Sequence, residues 1–121
     1  KLFIAKRADT KKFLPGKFEL PGGHIEYAED IEAGLKREFQ EEFGIDIEIG
    51  QTCYAFTYMN GENHVLEVDY LAELTDPNVQ IKLNPEDHSE YRWITREELD
   101  AVWDKNDAEY KAIEAGFALI K

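Results

Sequence analysis

Apolar residues recur every four positions from Ile31 through Leu35 and Phe39 to Phe43, the spacing of one face of an α-helix. Glu29, Glu32, Lys36 and Gln40 fall on the far side of that wheel. Asp30 begins the pattern and Gly44 is a natural stop. Upstream, Lys1 to Lys6 reads as a short strand ending at Arg7, followed by a polar loop over Ala8 to Gly16 that closes on Pro15-Gly16. Lys17 to Leu20 alternates as a half-buried strand would and stops at Pro21-Gly22-Gly23, where glycine permits positive φ or close approach to a ligand.

Downstream of Ile45 the pattern becomes aromatic and β-branched. Tyr54 to Tyr58 and Val65 to Leu71 predict two strands, with Asn60-Gly61-Glu62-Asn63 as the hairpin between them. Thr75 to Asn78 ends the second, and a polar segment from Leu83 to Glu90 precedes a short strand at Tyr91 to Ile94. Thr95-Arg96-Glu97-Glu98 predicts a capped helix of one to two turns. A last helix over Ala108 to Ile120 is expected to turn Ile113, Phe117 and Ile120 to the core. The order of elements is mixed α and β, with helices able to cover both faces of a sheet.

The size, 121 residues, predicts one domain over 1–121 with a single core. A formal net charge of −12 argues against duplex nucleic acid as a partner, while a small phosphorylated substrate fits if cations screen the acid. Cys53 is the only cysteine, so no disulfide forms within the chain, and a reducing, cytoplasmic setting is expected. No apolar run approaches a membrane span. The chain opens at Lys1 directly into a strand-like run, which suggests a trimmed start.

Glu38, Glu41 and Glu42 stand three and four apart beside the apolar stripe, so they crowd one strip at the border of the core. Such like charges repel by about a few tenths of a kcal/mol per exposed pair. The strip is therefore either well solvated or supplied with cations. Mg²⁺ asks for six oxygen ligands, and carboxylates from one helix can supply several of them. The three histidines offer less: His24 and His64 read as exposed or strand-end residues, and His88 as a neighbour of the acidic loop. Cys53 reads as core. Among the aromatics, Tyr54, Phe56, Tyr58, Tyr70 and Trp103 are core or sheet surface, one or two of them able to stack on a base.

From Gly23 the chain runs five residues to Glu29, seven more to Arg37-Glu38-Phe39, one to Glu41-Glu42 and one to Gly44-Ile45. This resembles the Nudix box at every defined position, and the likeness extends to Lys6-Arg7, to Phe18 through Gly23, and to Trp93 ahead of Glu97-Glu98-Leu99. The resemblance implies an α/β fold, an α/β/α sandwich with a mixed central sheet, and a pyrophosphohydrolase of nucleoside diphosphate-linked substrates that uses Mg²⁺ or Mn²⁺. It implies Glu38, Glu42 and then Glu41 as metal ligands, with the Gly22 carbonyl as another, and Arg37 with Glu29 as an orienting pair. It implies attack of water on phosphorus, assisted by metals that lower the water's pKa and neutralise charge. A further carboxylate is expected from the loop before Trp93, with Asp87 ahead of Glu90 and Glu86. Arg7 matches a position that contacts substrate phosphate. Gly34, where the family often has Ala, reads either as room for metal or phosphate or as simple tolerance. The family usually has another strand before the one at Leu2, and many members are homodimers.

Departures from the family bear on the substrate. Ala28 stands where Gly usually precedes the first box glutamate. The Pro of ADP-ribose hydrolases and the Tyr of dinucleoside polyphosphate hydrolases are not matched near Asn60-Gly61. By elimination, and by the likeness of Phe18 to Gly23 to MutT-type enzymes, the expected substrate is a nucleoside triphosphate or modified nucleotide, cleaved to monophosphate and pyrophosphate. A nucleotide sensor without turnover, or a hydrolase of nucleotide sugars or ADP-ribose, is the alternative.

Overall fold

The computed structural model describes residues 1–12 and 14–120. Phe13, in the loop expected over 8–16, and the last residue, Lys121, lie outside the described residues. The elements follow in the order β1 (Leu2–Arg7), β2 (Phe18–Glu19), α1 (Ile31–Phe43), β3 (Ile47–Asn60), β4 (Asn63–Leu74), β5 (His88–Ile94), a 3₁₀ turn (Arg96–Glu98), α2 (Leu99–Val102) and α3 (Ala108–Ile120). They fall into two compact units, one of Lys1–Glu48 with Leu74–Thr95 and one of Ile49–Glu73 with Arg96–Lys121.

In the first unit β1 is central, antiparallel to both β2 and β5. Phe3, Ile4 and Ala5, in the central strand of this sheet, are all buried. Phe3 meets Phe43 edge to face at 5.1 Å and its strand partner Trp93 at 5.0 Å, so the end of α1 is locked against the sheet. Asp30 caps α1 by accepting from the Ala33 N–H at 3.1 Å. Gly44, at φ 65°, closes it in the left-handed conformation that glycine tolerates without a Cβ penalty. The stripe is buried unevenly: Phe43 is fully enclosed, whereas Ile31 at the first turn is 44% exposed.

β5 starts earlier than the sequence pattern suggests. Its pairing with β1 steps from Lys6↔Glu90 to Arg7↔His88, leaving Ser89 as an extra residue. A bulge of this kind re-aims the side chain beside it, and His88 is buried here. A run as polar as Asp87-His88-Ser89-Glu90 carries no strand periodicity, which is why it reads as loop.

The second unit holds the β3–β4 hairpin, turning at Gly61 (φ 63°). Tyr54, Phe56 and Tyr58 form a row on one face of β3, with successive ring centroids 5.9 Å apart. α3 buries Tyr110, Ala112 and Ile113, but Ile120 is half exposed and does not reach a core. Trp103 is buried, so it packs and does not present a stacking face.

Candidate functional site

The polar chemistry of the first unit gathers around α1. Arg37, in the middle of the helix, is its hub. Its Nε and Nη2 donate to the two oxygens of Glu29 at 2.8 and 3.0 Å, and its Nη1 donates to Glu38 at 3.2 Å and Glu41 at 3.3 Å. Glu29 also accepts from the Glu26 N–H at 2.9 Å. Arg37, then that N–H, hold the Glu29 carboxyl down at about 2, and Glu29 in turn raises Arg37. One guanidinium thus ties the turn before the helix to two carboxylates on it, a bidentate geometry suited to Arg. Glu41 points outward from this hub, its side chain 60% exposed, while Glu38 is mostly covered.

Glycine sets how near the turn can come. A Cβ at Gly23 would lie 2.3 Å from Glu38 Cδ, so the Glu38 carboxylate rests against bare backbone next to Gly22. At Gly34 a Cβ would meet Ile25 Cδ1 at 2.7 Å and Glu29 Oε1 at 2.9 Å. The space there is filled by these two side chains, so Gly34 makes room for Glu29 and not for metal or phosphate.

Glu42 sits one turn beyond Glu38. Among the described residues, its Oε2 is buried without a hydrogen-bond partner. Burial, and then the charges of Glu38, Asp87 and Glu19, push its carboxyl up to about 8, with Lys11 opposing. Asp87 is brought here by the loop after β4: the Lys82 and Asn84 N–H groups donate to the Phe43 and Glu42 carbonyls at 2.9 and 3.2 Å, which docks the loop on the end of α1. Asn84 O then accepts from the Asp87 and His88 N–H groups, both at 2.9 Å, tightening the turn. Asp87 Oδ1 accepts from Lys11 Nζ at 2.6 Å. Of the two other acids expected in this loop, Glu90 lies on β5 and pairs with Arg92 at 3.0 Å and Lys6 at 3.9 Å, and the Glu86 N–H is tied to Asn84.

Sequence reasoning passed over Glu19. It accepts from Arg7 Nη1 at 3.0 Å and from His88 Nε2 at 2.7 Å. Burial pushes its carboxyl up, but the bonds from His88 and Arg7 prevail and hold it below the ordinary range. Its one visible signal was position: a polar residue in a two-residue strand directly before Leu20-Pro21-Gly22-Gly23. Arg7, expected to meet phosphate, is engaged with this carboxylate.

An unpartnered, buried carboxylate oxygen among three further acids is what a divalent cation would satisfy, so the donor set fits one. The second unit holds another acidic group, Glu67, Asp69 and Glu109, whose ligand atoms lie within 4.8 Å of one another. Burial first, then Asp69 and Glu109, push the Glu67 carboxyl up, and Glu67 and Asp69 are hydrogen-bonded side chain to side chain. Burial also raises the Asp69 carboxyl, and among the described residues its Oδ2 is buried without a hydrogen-bond partner. The same unit has a cavity of about 400 Å³ lined by Tyr54, Phe56, Thr57, Lys105, Asn106 and Lys111, among others.

A glycine turn laid against a helix that carries a braced set of carboxylates defines an acid-rich α/β domain. The NUDIX domain family model matches residues 1–115, and the chain belongs to that family of hydrolases. Similar proteins include the nucleoside triphosphatase NudI of Escherichia coli O139:H28, 31% identical over 119 residues, with 91% of this chain and 83% of that protein covered. NudI of Shigella flexneri matches to the same extent. Among solved structures, a MutT protein from Methanosarcina mazei Go1 superposes with TM-score 0.79 at 22% identity, covering 98% of this chain and 85% of that one. A C. elegans Ap4A hydrolase binary complex gives TM-score 0.77 at 20% identity, with 98% and 84% covered. Both share the Nudix fold. Among the described residues, no helix is long and apolar enough to cross a membrane.

Proposed function

We propose that residues 1–121 form one Nudix hydrolase domain that cleaves a nucleoside triphosphate to monophosphate and pyrophosphate. The family supplies hydrolase chemistry, and the 31% identity to nucleoside triphosphatase NudI favours the triphosphate over nucleotide sugars or ADP-ribose. The observation that carries the reading is the partnerless Glu42 Oε2, facing the charges of Glu38 and Asp87.

In this reading Glu38 and Glu42, with Glu41 and the Gly22 carbonyl, would hold Mg²⁺ or Mn²⁺. The cation, when bound, neutralises phosphate charge and makes a water more acidic. Arg37 and Glu29 keep Glu38 and Glu41 in place. Asp87 takes the proton of the attacking water at its carboxylate, with Lys11 holding the side chain. Arg7 takes a phosphate oxygen in exchange for one of its present partners. A single cysteine suits a reducing cytoplasm.

The test is a panel of NTPs, oxidised dNTPs, nucleotide sugars and ADP-ribose with Mg²⁺ or Mn²⁺, run beside Glu42→Gln. Expected is turnover of a triphosphate to pyrophosphate, abolished by EDTA and reduced by about 10²-fold or more in the variant. Turnover indifferent to both would overturn the reading. Tight nucleotide binding with no turnover would replace it with a sensor.

A further inference from the structure

His88 is a histidine in a place where an apolar ring would pack. It is 2% exposed, and its ring stacks on Phe43 at 5.1 Å with the planes 27° apart. Nδ1 is buried and has no partner among the described residues. Nε2 bonds Glu19 at 2.7 Å, and since an ionised carboxylate can only accept, Nε2–H donates. A buried nitrogen left unmatched is unfavourable, and phenylalanine would keep the stack without it. What the imidazole adds is the bond to Glu19.

That bond links the elements that carry the site. Glu19 is on β2, Phe43 follows Glu42 on α1, and His88 follows Asp87 at the head of β5. Arg7 holds the other Glu19 oxygen at 3.0 Å, so the carboxylate is fixed at both ends.

We propose that His88 and Glu19 are positioning residues of the cation site: His88 fixes Glu19 so that its negative charge bears on Glu42 and tightens the hold on a divalent cation. The inference rests on the reading of the Glu38–Glu42 pole as a metal site. Glu19 acts by charge at a distance and through Glu42, and the ring acts by orientation.

Mn²⁺ binding to the substrate-free protein, read from the electron paramagnetic resonance of the free ion, tests this without reference to turnover. Glu19→Gln keeps the shape and hydrogen-bonding capacity but removes the charge. It is expected to weaken Mn²⁺ binding about ten- to hundredfold, the usual effect of losing an outer partner of a metal site. Excess Mn²⁺ should restore its activity, which a structural lesion would not allow. His88→Phe should keep the fold, through the retained stack on Phe43, and yet bind Mn²⁺ more weakly. Glu90→Gln makes the same charge change on β5 within an exposed pair and should stay within about twofold of the parent, as a screened surface charge does. Parent-like Mn²⁺ affinity in Glu19→Gln overturns the proposal, as does a loss of equal size in Glu90→Gln. Unchanged affinity in a folded His88→Phe removes the role of the ring, and if that variant does not fold, Glu19→Gln decides. A parent protein that binds no Mn²⁺ sinks the metal-site reading itself, which is a different result from parent and Glu19→Gln binding alike.

Discussion

Ala28 adopts φ 63°, in the left-handed region where an L side chain is strained by roughly 1–2 kcal/mol. The Gly that usually precedes the first box glutamate is therefore a backbone requirement, which the alanine meets at a penalty. Ala28→Gly should stabilise the protein by about 0.5–1 kcal/mol, less than the strain because glycine also loosens the unfolded chain. Urea unfolding midpoints at a constant slope would measure it. Gly23 is a residue of the opposite kind, at which a side chain has no space. Gly23→Ala must push Glu38 off the turn, since the gap to Cδ is 2.3 Å. Activity should fall by about tenfold or more with helix content unchanged, as seen by far-ultraviolet circular dichroism beside a kinetic assay. Gly34→Ala meets Glu29 and Ile25 instead, so the two glycines serve different neighbours in one site.

The unit of action at the next scale is α1 with the turn before it. Periodicity predicts the helix, and both caps lie where Asp30 and Gly44 indicate. The Nudix spacing likewise predicts the Arg37–Glu29 pair, and the two are joined by a bidentate bond. Glu29→Gln keeps the shape but discards the charge that orients Arg37, and through it Glu38 and Glu41. The expected result is a loss of about 10- to 100-fold in kcat with a smaller change in KM, since substrate is not touched directly. Equal kcat in parent and variant would show that the helix alone orients its carboxylates. β5 is the element that periodicity misplaces. Its polar opening residues pair with β1 only because a bulge at Ser89 turns His88 inward, and a bulge is a product of the partner strand.

For the whole molecule, the acid balance sets stability against pH. Glu42 titrates at about 8 in the folded chain against an ordinary carboxyl value of 4.5, so the folded state holds more protons between those limits. Stability that is full below about pH 4.5 is lost as pH rises through about 8. The metal-free protein should thus melt at progressively lower temperature across this window, and Glu42→Gln should reduce the slope, the raised Glu67 and Asp69 carboxyls supplying the rest. A divalent cation binds the ionised form, so saturating Mg²⁺ or Mn²⁺ should raise Tm most at pH 8 and scarcely at pH 4.5, through preferential binding to the folded state. Scanning calorimetry at several pH values, with EDTA and with Mn²⁺, reads all three effects. A melting temperature that climbs from pH 5 to 8 without metal would contradict the placing of Glu42.

The chain on its own determines what depends on spacing: the two strands before Pro21-Gly22-Gly23, the helix and its caps, and the order of Glu29, Arg37, Glu38, Glu41 and Glu42. Those are local matters, because a period of 3.6 or 2 and a glycine stop act over a few residues. Asp87 is singled out by the family resemblance, through its distance from Trp93. Tertiary structure alone decides which acids face one another. The docking of Asn84 on the end of α1 brings Asp87 within reach of Glu42's charge, and the bulge in β5 swings His88 onto Glu19. It also closes the space over Gly34 and buries Trp103, neither of which any periodicity records. Electrostatics falls off with distance in space and takes no account of separation in sequence, so Glu19 and Glu42, 23 positions apart, could be matched only once the chain had folded.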